Sequence, residues 1–125
     1  MTEIIYKDEC YKIMGCCFEV FNDLGYGLRE KAYQKALEEV MLKQGINFKS
    51  QLCVPIKVGE KTIGRYYLDI LVEGKIALEL KVGNHFHKRD IAQLYSYLKS
   101  KNILLGILVN VTSSGMESKR VLNIQ

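Results

Sequence analysis

The residues best suited to chemistry lie in one short, β-rich segment, Leu68-Asp69-Ile70-Leu71-Val72-Glu73-Gly74-Lys75-Ile76-Ala77-Leu78-Glu79-Leu80-Lys81. It can close as a hairpin in two registers. A two-residue loop at Glu73-Gly74 pairs Val72 with Lys75 and Asp69 with Leu78, which mixes polar and apolar residues on one face. A three-residue loop, Glu73 to Lys75, pairs Val72 with Ile76 and Asp69 with Glu79. This second register gathers Ile70, Val72, Ile76, Leu78 and Leu80 on one apolar face and Asp69, Leu71, Ala77, Glu79 and Lys81 on the other, so hydrophobic patterning selects it. Gly74 suits the left-handed position of such a loop. Asp69 and Glu79 then have Cβ atoms about 5 Å apart. Carboxylates that close repel unless protonated or neutralised, and a hard divalent cation, Mg²⁺ or Mn²⁺, removes the conflict. Lys81 shares their face and could orient a water or stabilise charge on a phosphate. The residue types alone also fit a solvated charge cluster on a sheet face.

Two other polar residues stand out. Glu30 falls on the apolar stripe of a helical segment, three residues before Tyr33 and seven before Leu37. A carboxylate there needs a partner, because burying it unpaired is expensive. Gln93 precedes Tyr97 by one helical turn, so their side chains can meet. His85, His87, Lys88 and Arg89 form a small basic patch, read either as a solvated helix start or as phosphate contacts.

The elements that must position these residues follow from periodicity. Helical spacing runs from Ile4 to Leu24, on Ile5, Ile13, Cys16, Cys17, Val20, Phe21 and Leu24. A second helix spans about Leu28 to Gln44, with Tyr33, Leu37, Val40 and Met41 as its stripe and Gly45 as its C-cap. The period then changes to two, predicting strands over Leu52 to Val58 (an edge strand, given Pro55), Thr62 to Val72 and Lys75 to Val82. A helix from about Lys88 to Lys101 presents Ile91, Leu94, Tyr95 and Leu98 to the core. Ile103 to Asn110 suits a strand covered on both faces, and Arg120 to Ile124 is expected as a short last strand. The order is ααβββαββ, one α+β domain over residues 1–125.

Composition sets the outer bounds. The chain has 125 residues, 48% hydrophobic and 26% charged, which excludes disorder and low-complexity classes. Its net charge of +4 permits a polyanionic partner without demanding one. No secretory leader or membrane-spanning run is evident, so a cytoplasmic protein without a membrane partner is expected. Cys10, Cys16, Cys17 and Cys53 lack metal-binding spacing and read as reduced, mostly buried thiols.

Gly27-Leu28-Arg29-Glu30-Lys31-Ala32-Tyr33 resembles the GxxExxY motif of the GxxExxY proteins, a family placed in the PD-(D/E)XK nuclease superfamily. Asp69 matches the superfamily's aspartate and Glu79-Leu80-Lys81 its ExK. Gln93-Leu94-Tyr95-Ser96-Tyr97-Leu98 resembles the QxxxYL helix, and Gly106 to Asn110 the apolar strand after it. Leu68 stands where the superfamily pattern has proline. The resemblance covers about residues 5 to 122. It implies a restriction-endonuclease-like core, a mixed sheet with helices on both faces in a three-layer arrangement. It also implies Mg²⁺- or Mn²⁺-dependent phosphodiester hydrolysis, with DNA as the expected substrate. Asp69 and Glu79 would be metal ligands, Glu30 an additional carboxylate near the metal, Lys81 the catalytic lysine and Gln93 a catalytic-site polar group. Tyr33 and Tyr97 would give support. The alternative is a catalytically silent nucleic-acid-binding or protein-interaction module of the same fold. The small size points to a homodimer or a partner protein for specificity.

Overall fold

The computed structural model describes residues 4–124; residues 1–3 and residue 125 lie outside it. Two helices, α1 (Lys7–Leu24) and α2 (Glu30–Lys43), precede three strands, β1 (Phe48–Val58), β2 (Lys61–Val72) and β3 (Ile76–Val82). Helix α3 (Lys88–Lys101) crosses to β4 (Leu105–Thr112), and β5 (Gly115–Leu122) ends the fold. The order is the expected ααβββαββ, and the sheet is mixed. Its strands lie in sequence order, with only β3 and β4 parallel. That parallel pair requires a crossover, which α3 supplies. Pro55 lies on the edge strand β1, where a missing N–H costs the ladder least.

Each face of the sheet carries one hydrophobic layer. Ile13, Cys16, Cys17 and Val20 of α1 and Tyr33, Leu37 and Met41 of α2 pack on Ile70, Val72, Ile76, Leu78, Leu80 and the odd-numbered core residues of β4. Leu94, Tyr97 and Leu98 of α3 pack on the other face, against Val54, Leu68, Ala77 and Leu108. The helices pack as the restriction-endonuclease-like reading requires, α1 and α2 on one side and α3 on the other. Gly106 permits the close approach of α3, because a Cβ there would meet Leu94 Cγ and Cδ2 at 3.0 Å.

Several boundaries and faces differ from the sequence reading. The first helix starts at Lys7, because Tyr6 before it is left-handed (φ 53°). β1 begins at Phe48 and β5 at Gly115, each several residues earlier than expected. Pairing partners extended both strands where their own alternation was weak. Tyr97, not Tyr95, completes the buried face of α3. Tyr95 is exposed beneath Lys99, whose Nζ lies 5.7 Å from its ring. All four cysteines are free; Cys16 and Cys17 are buried and Cys10 half-buried, but Cys53 is exposed on β1.

Candidate active site

The β2–β3 hairpin takes the three-residue loop. Glu73 (φ 54°) and Gly74 (φ 66°) turn the chain, and the Lys75 N–H donates to the Val72 carbonyl at 2.9 Å. Val72 pairs with Ile76, Leu71 with Ala77 and Ile70 with Leu78. The ladder then stops, so Asp69 and Glu79 are not a backbone pair, as direct extension of the register would have made them. Each carboxylate instead caps the opposite strand. The Asp69 N–H donates to Glu79 Oε1 at 2.9 Å, and the Leu80 N–H donates to Asp69 Oδ2 at 2.8 Å.

β2 turns over at this point. Ile70 and Val72 pack toward α1 and α2, whereas Leu68 and Tyr66, of the same parity, pack toward α3. Across the β1–β2 pair, Ser50 faces Ile70 and Leu52 faces Leu68, while Gln51 between them adopts a left-handed conformation (φ 51°). A polar network braces the turnover. Buried Gln34 on α2 donates through Nε2 to Glu38 Oε2 at 3.0 Å and to the Asp69 carbonyl at 3.4 Å, and its Oε1 accepts from Gln51 Nε2 at 3.0 Å. Sequence reasoning missed Gln34, Gln51 and Glu38. Gln34 follows Tyr33 on the buried side of α2, a signal of the kind that drew attention to Glu30.

Burial dominates the electrostatics. Glu79 is 4% exposed and Asp69 7%. Desolvation, then the Asp69 charge, pushes the Glu79 pKa up to about 8, although the Asp69 N–H, Lys81 and the nearby Tyr66 hydroxyl oppose the shift. Asp69 is raised as well, chiefly by burial, against the Leu80 N–H and Lys81. Glu30, half-buried at the first position of α2, is raised by desolvation, with Lys81 opposing and Asp69 and Asp90 adding to the shift. Lys81 is thus the cation that all three carboxyl groups feel.

The remaining expected residues fall into two groups. Gln93 is exposed on α3 and Tyr97 is buried; they make no hydrogen bond to each other but line one open cleft of about 270 Å³ with Tyr66. His85, His87, Lys88 and Arg89 are all exposed at the entry to α3. Asn110 on β4 sets that entry by donating to the His85 carbonyl at 2.8 Å and the Gly83 carbonyl at 3.3 Å. Tyr33 lies apart from the carboxylates. Its hydroxyl donates to the Gly25 carbonyl at 2.7 Å and accepts from the Leu28 N–H, so it supports the α1–α2 turn that leads into Glu30. A larger hollow of about 390 Å³ lies by the β2–β3 turn, beside Glu9 and Lys75, away from these groups.

The donor set can be weighed against a metal. Among the described residues no three His, Cys, Asp or Glu side chains form a preassembled metal cluster, so Glu30 does not stand with Asp69 and Glu79 as a ready triad. The Asp69–Glu79 pair nevertheless suits a hard divalent cation. Both are buried oxygen donors held back from ionisation by desolvation, and each has one oxygen, Asp69 Oδ1 and Glu79 Oε2, without a backbone donor. Mg²⁺ is commonly held by one or two carboxylates with waters completing its shell.

Comparison with known proteins bears on this arrangement. No curated protein sequence matches the chain. The chain is similar in fold to the crystal structure of SSO0001, with a TM-score of 0.57 and 21% sequence identity. The alignment covers 96% of this chain and 61% of that one, so the chain spans about three-fifths of its length. A family model for the PD-(D/E)XK nuclease superfamily matches residues 7–121. Agreement over nearly all of the described sequence, on a mixed sheet with helices on both faces, means that the chain belongs to the PD-(D/E)XK nuclease superfamily.

Proposed function

We propose that this protein is a metal-dependent nuclease that hydrolyses phosphodiester bonds in DNA, with Mg²⁺ or Mn²⁺ held by Asp69 and Glu79. The observation that carries the reading is the reciprocal capping of these two buried carboxylates, which sets them face to face beside Lys81. A bound cation would polarise a phosphoryl oxygen and lower the pKa of a water. Asp69 Oδ1 and Glu79 Oε2 are the oxygens free to bind it. Lys81 supplies positive charge where the phosphate gains negative charge, and it can hold the attacking water. Glu30 faces Lys81 from the start of α2 as a further carboxylate for the cation's shell or for the water's proton. Gln93, with Tyr97 behind it, offers an uncommitted amide along the cleft, and His85, His87, Lys88 and Arg89 offer donors to the backbone phosphates. The finer likeness to the GxxExxY proteins rests on Gly27, Glu30 and Tyr33.

The test is cleavage of supercoiled plasmid and of single-stranded DNA in Mg²⁺, Mn²⁺ or EDTA. The wild type should cut only with cation. Asp69→Ala and Glu79→Ala should abolish cutting, and Lys81→Met should slow it by about 10²–10³-fold, as for loss of one transition-state charge contact. A wild type that cuts no better than the Asp69→Ala, Glu79→Ala double variant removes the enzyme reading. Salt-sensitive DNA binding without cutting would then favour the silent binding module.

A further inference from the structure

We propose that Tyr66 is a positioning residue for Glu79, donating its hydroxyl hydrogen to the Glu79 carboxylate when that carboxylate holds a cation. The inference rests on the reading of Asp69 and Glu79 as cation ligands. Tyr66 lies on β2, three residues before Asp69 and just beyond the point where the strand turns over. Its Oη is buried and completes no hydrogen bond among the described residues. A buried hydroxyl left unpaired is costly, and a phenylalanine would fill the same space without that cost. The hydroxyl is therefore best explained by an acceptor that it meets in another state of the site.

The surroundings single out that acceptor. Glu79 and then Asp69 are the carboxylates close enough to act on the Tyr66 phenol, and Glu79 dominates. The Tyr66 hydroxyl stands near enough to the Glu79 carboxyl for each to act on the other's proton, but the geometry falls short of a full hydrogen bond. Glu79 Oε1 is taken by the Asp69 N–H. An ionised carboxylate still has lone pairs for a second donor and a cation together. Asp69 is less suited, because it acts on the phenol only through its charge and more weakly than Glu79 does. The ring is placed to make a small adjustment. It packs edge-on against Tyr97, with centroids 6.3 Å apart and planes at 68°, and it borders the open cleft of about 270 Å³ shared with Val54, Pro55 and Gln93. A short tilt within that space would complete the hydrogen bond. Partners that hydrogen-bond metal ligands commonly change metal affinity by about 10–100-fold when removed.

The experiment is Mn²⁺ titration of the whole protein by electron paramagnetic resonance, with thermal unfolding in EDTA on the same samples. Tyr66→Phe should bind Mn²⁺ about 10–100-fold more weakly than the wild type. In EDTA its melting temperature should equal or exceed the wild-type value, since an orphaned hydroxyl has gone. Tyr67→Phe, on the exposed side of β2, should match the wild type in both measurements. Equal Mn²⁺ affinity in wild type and Tyr66→Phe would overturn the proposal while leaving the cation reading intact. A Tyr66→Phe protein that melts several degrees lower in EDTA would also overturn it, because the hydroxyl would then serve the metal-free fold. A wild type that takes up no Mn²⁺ would remove the cation reading and this proposal with it.

Discussion

Glu79 couples the stability of the cation-free protein to pH. Its folded pKa of about 8 lies above its ordinary value of 4.5, so between these two limits the folded state holds a proton that the unfolded state has released. Its contribution is complete below pH 4.5 and is lost as the pH rises through 8. Asp69 shifts in the same direction and adds to the slope; Glu30 does too, but its partial exposure lets solvent screen the effect. The melting temperature in EDTA should therefore fall steadily from pH 5 to pH 8, as read by circular dichroism. Glu79→Gln, which stays neutral, should flatten most of that slope. Mg²⁺ or Mn²⁺ should raise the wild-type melting temperature most at the alkaline end, where binding displaces fewest protons.

At the scale of elements, the feature that makes the site is the turnover of β2 at Asp69. A strand that kept its alternation would aim Tyr66 and Leu68 to the side of Ile70. The left-handed Gln51 and the bonds of Gln34 to Gln51 and to the Asp69 carbonyl hold the chain in the alternative arrangement, and the open ladder frees the Asp69 and Leu80 N–H groups to donate to the two carboxylates. Gln34→Leu should leave Gln51 Nε2 and the Asp69 carbonyl without this partner. The expected cost is about 1–3 kcal/mol in urea unfolding. Cleavage should fall further than stability alone accounts for, because Asp69 is the residue released.

At the scale of the whole molecule, charge and topology meet at the entry to α3. The crossover between parallel β3 and β4 begins just after Lys81, so the loop that presents His85, His87, Lys88 and Arg89 starts where the candidate site ends. Asn110 pins that loop to β4. If these side chains meet backbone phosphates, Lys88→Glu and Arg89→Glu should each weaken DNA binding uniformly across sequences. Each should also reduce the slope of log affinity against log salt by about one, measured by fluorescence anisotropy in EDTA. Beyond Asp69, β1 and β2 continue as a long hairpin arm with Ile56, Val58, Ile63 and Tyr67 exposed. No helix of the described residues is long and apolar enough to cross a membrane.

The sequence by itself determined the order of elements, the three-residue loop of the hairpin and the apolar face of Ile70, Val72, Ile76, Leu78 and Leu80. These depend on local periodicity and on Gly74, which act over a few residues. It also marked Asp69, Glu79 and Glu30, because carboxylates beside or on apolar stripes conflict with burial wherever the chain goes, and Lys81, which the register sets on the face of the first two. Only the tertiary structure decided that the two carboxylates meet through backbone amides rather than as a ladder pair. Tertiary packing also turned β2 over, put Tyr97 rather than Tyr95 inside, and orphaned the Tyr66 hydroxyl. Each of these depends on groups far apart in sequence, Gln34 with Gln51 and Asp69, or Gly106 with Leu94, so no periodicity along the chain could carry them.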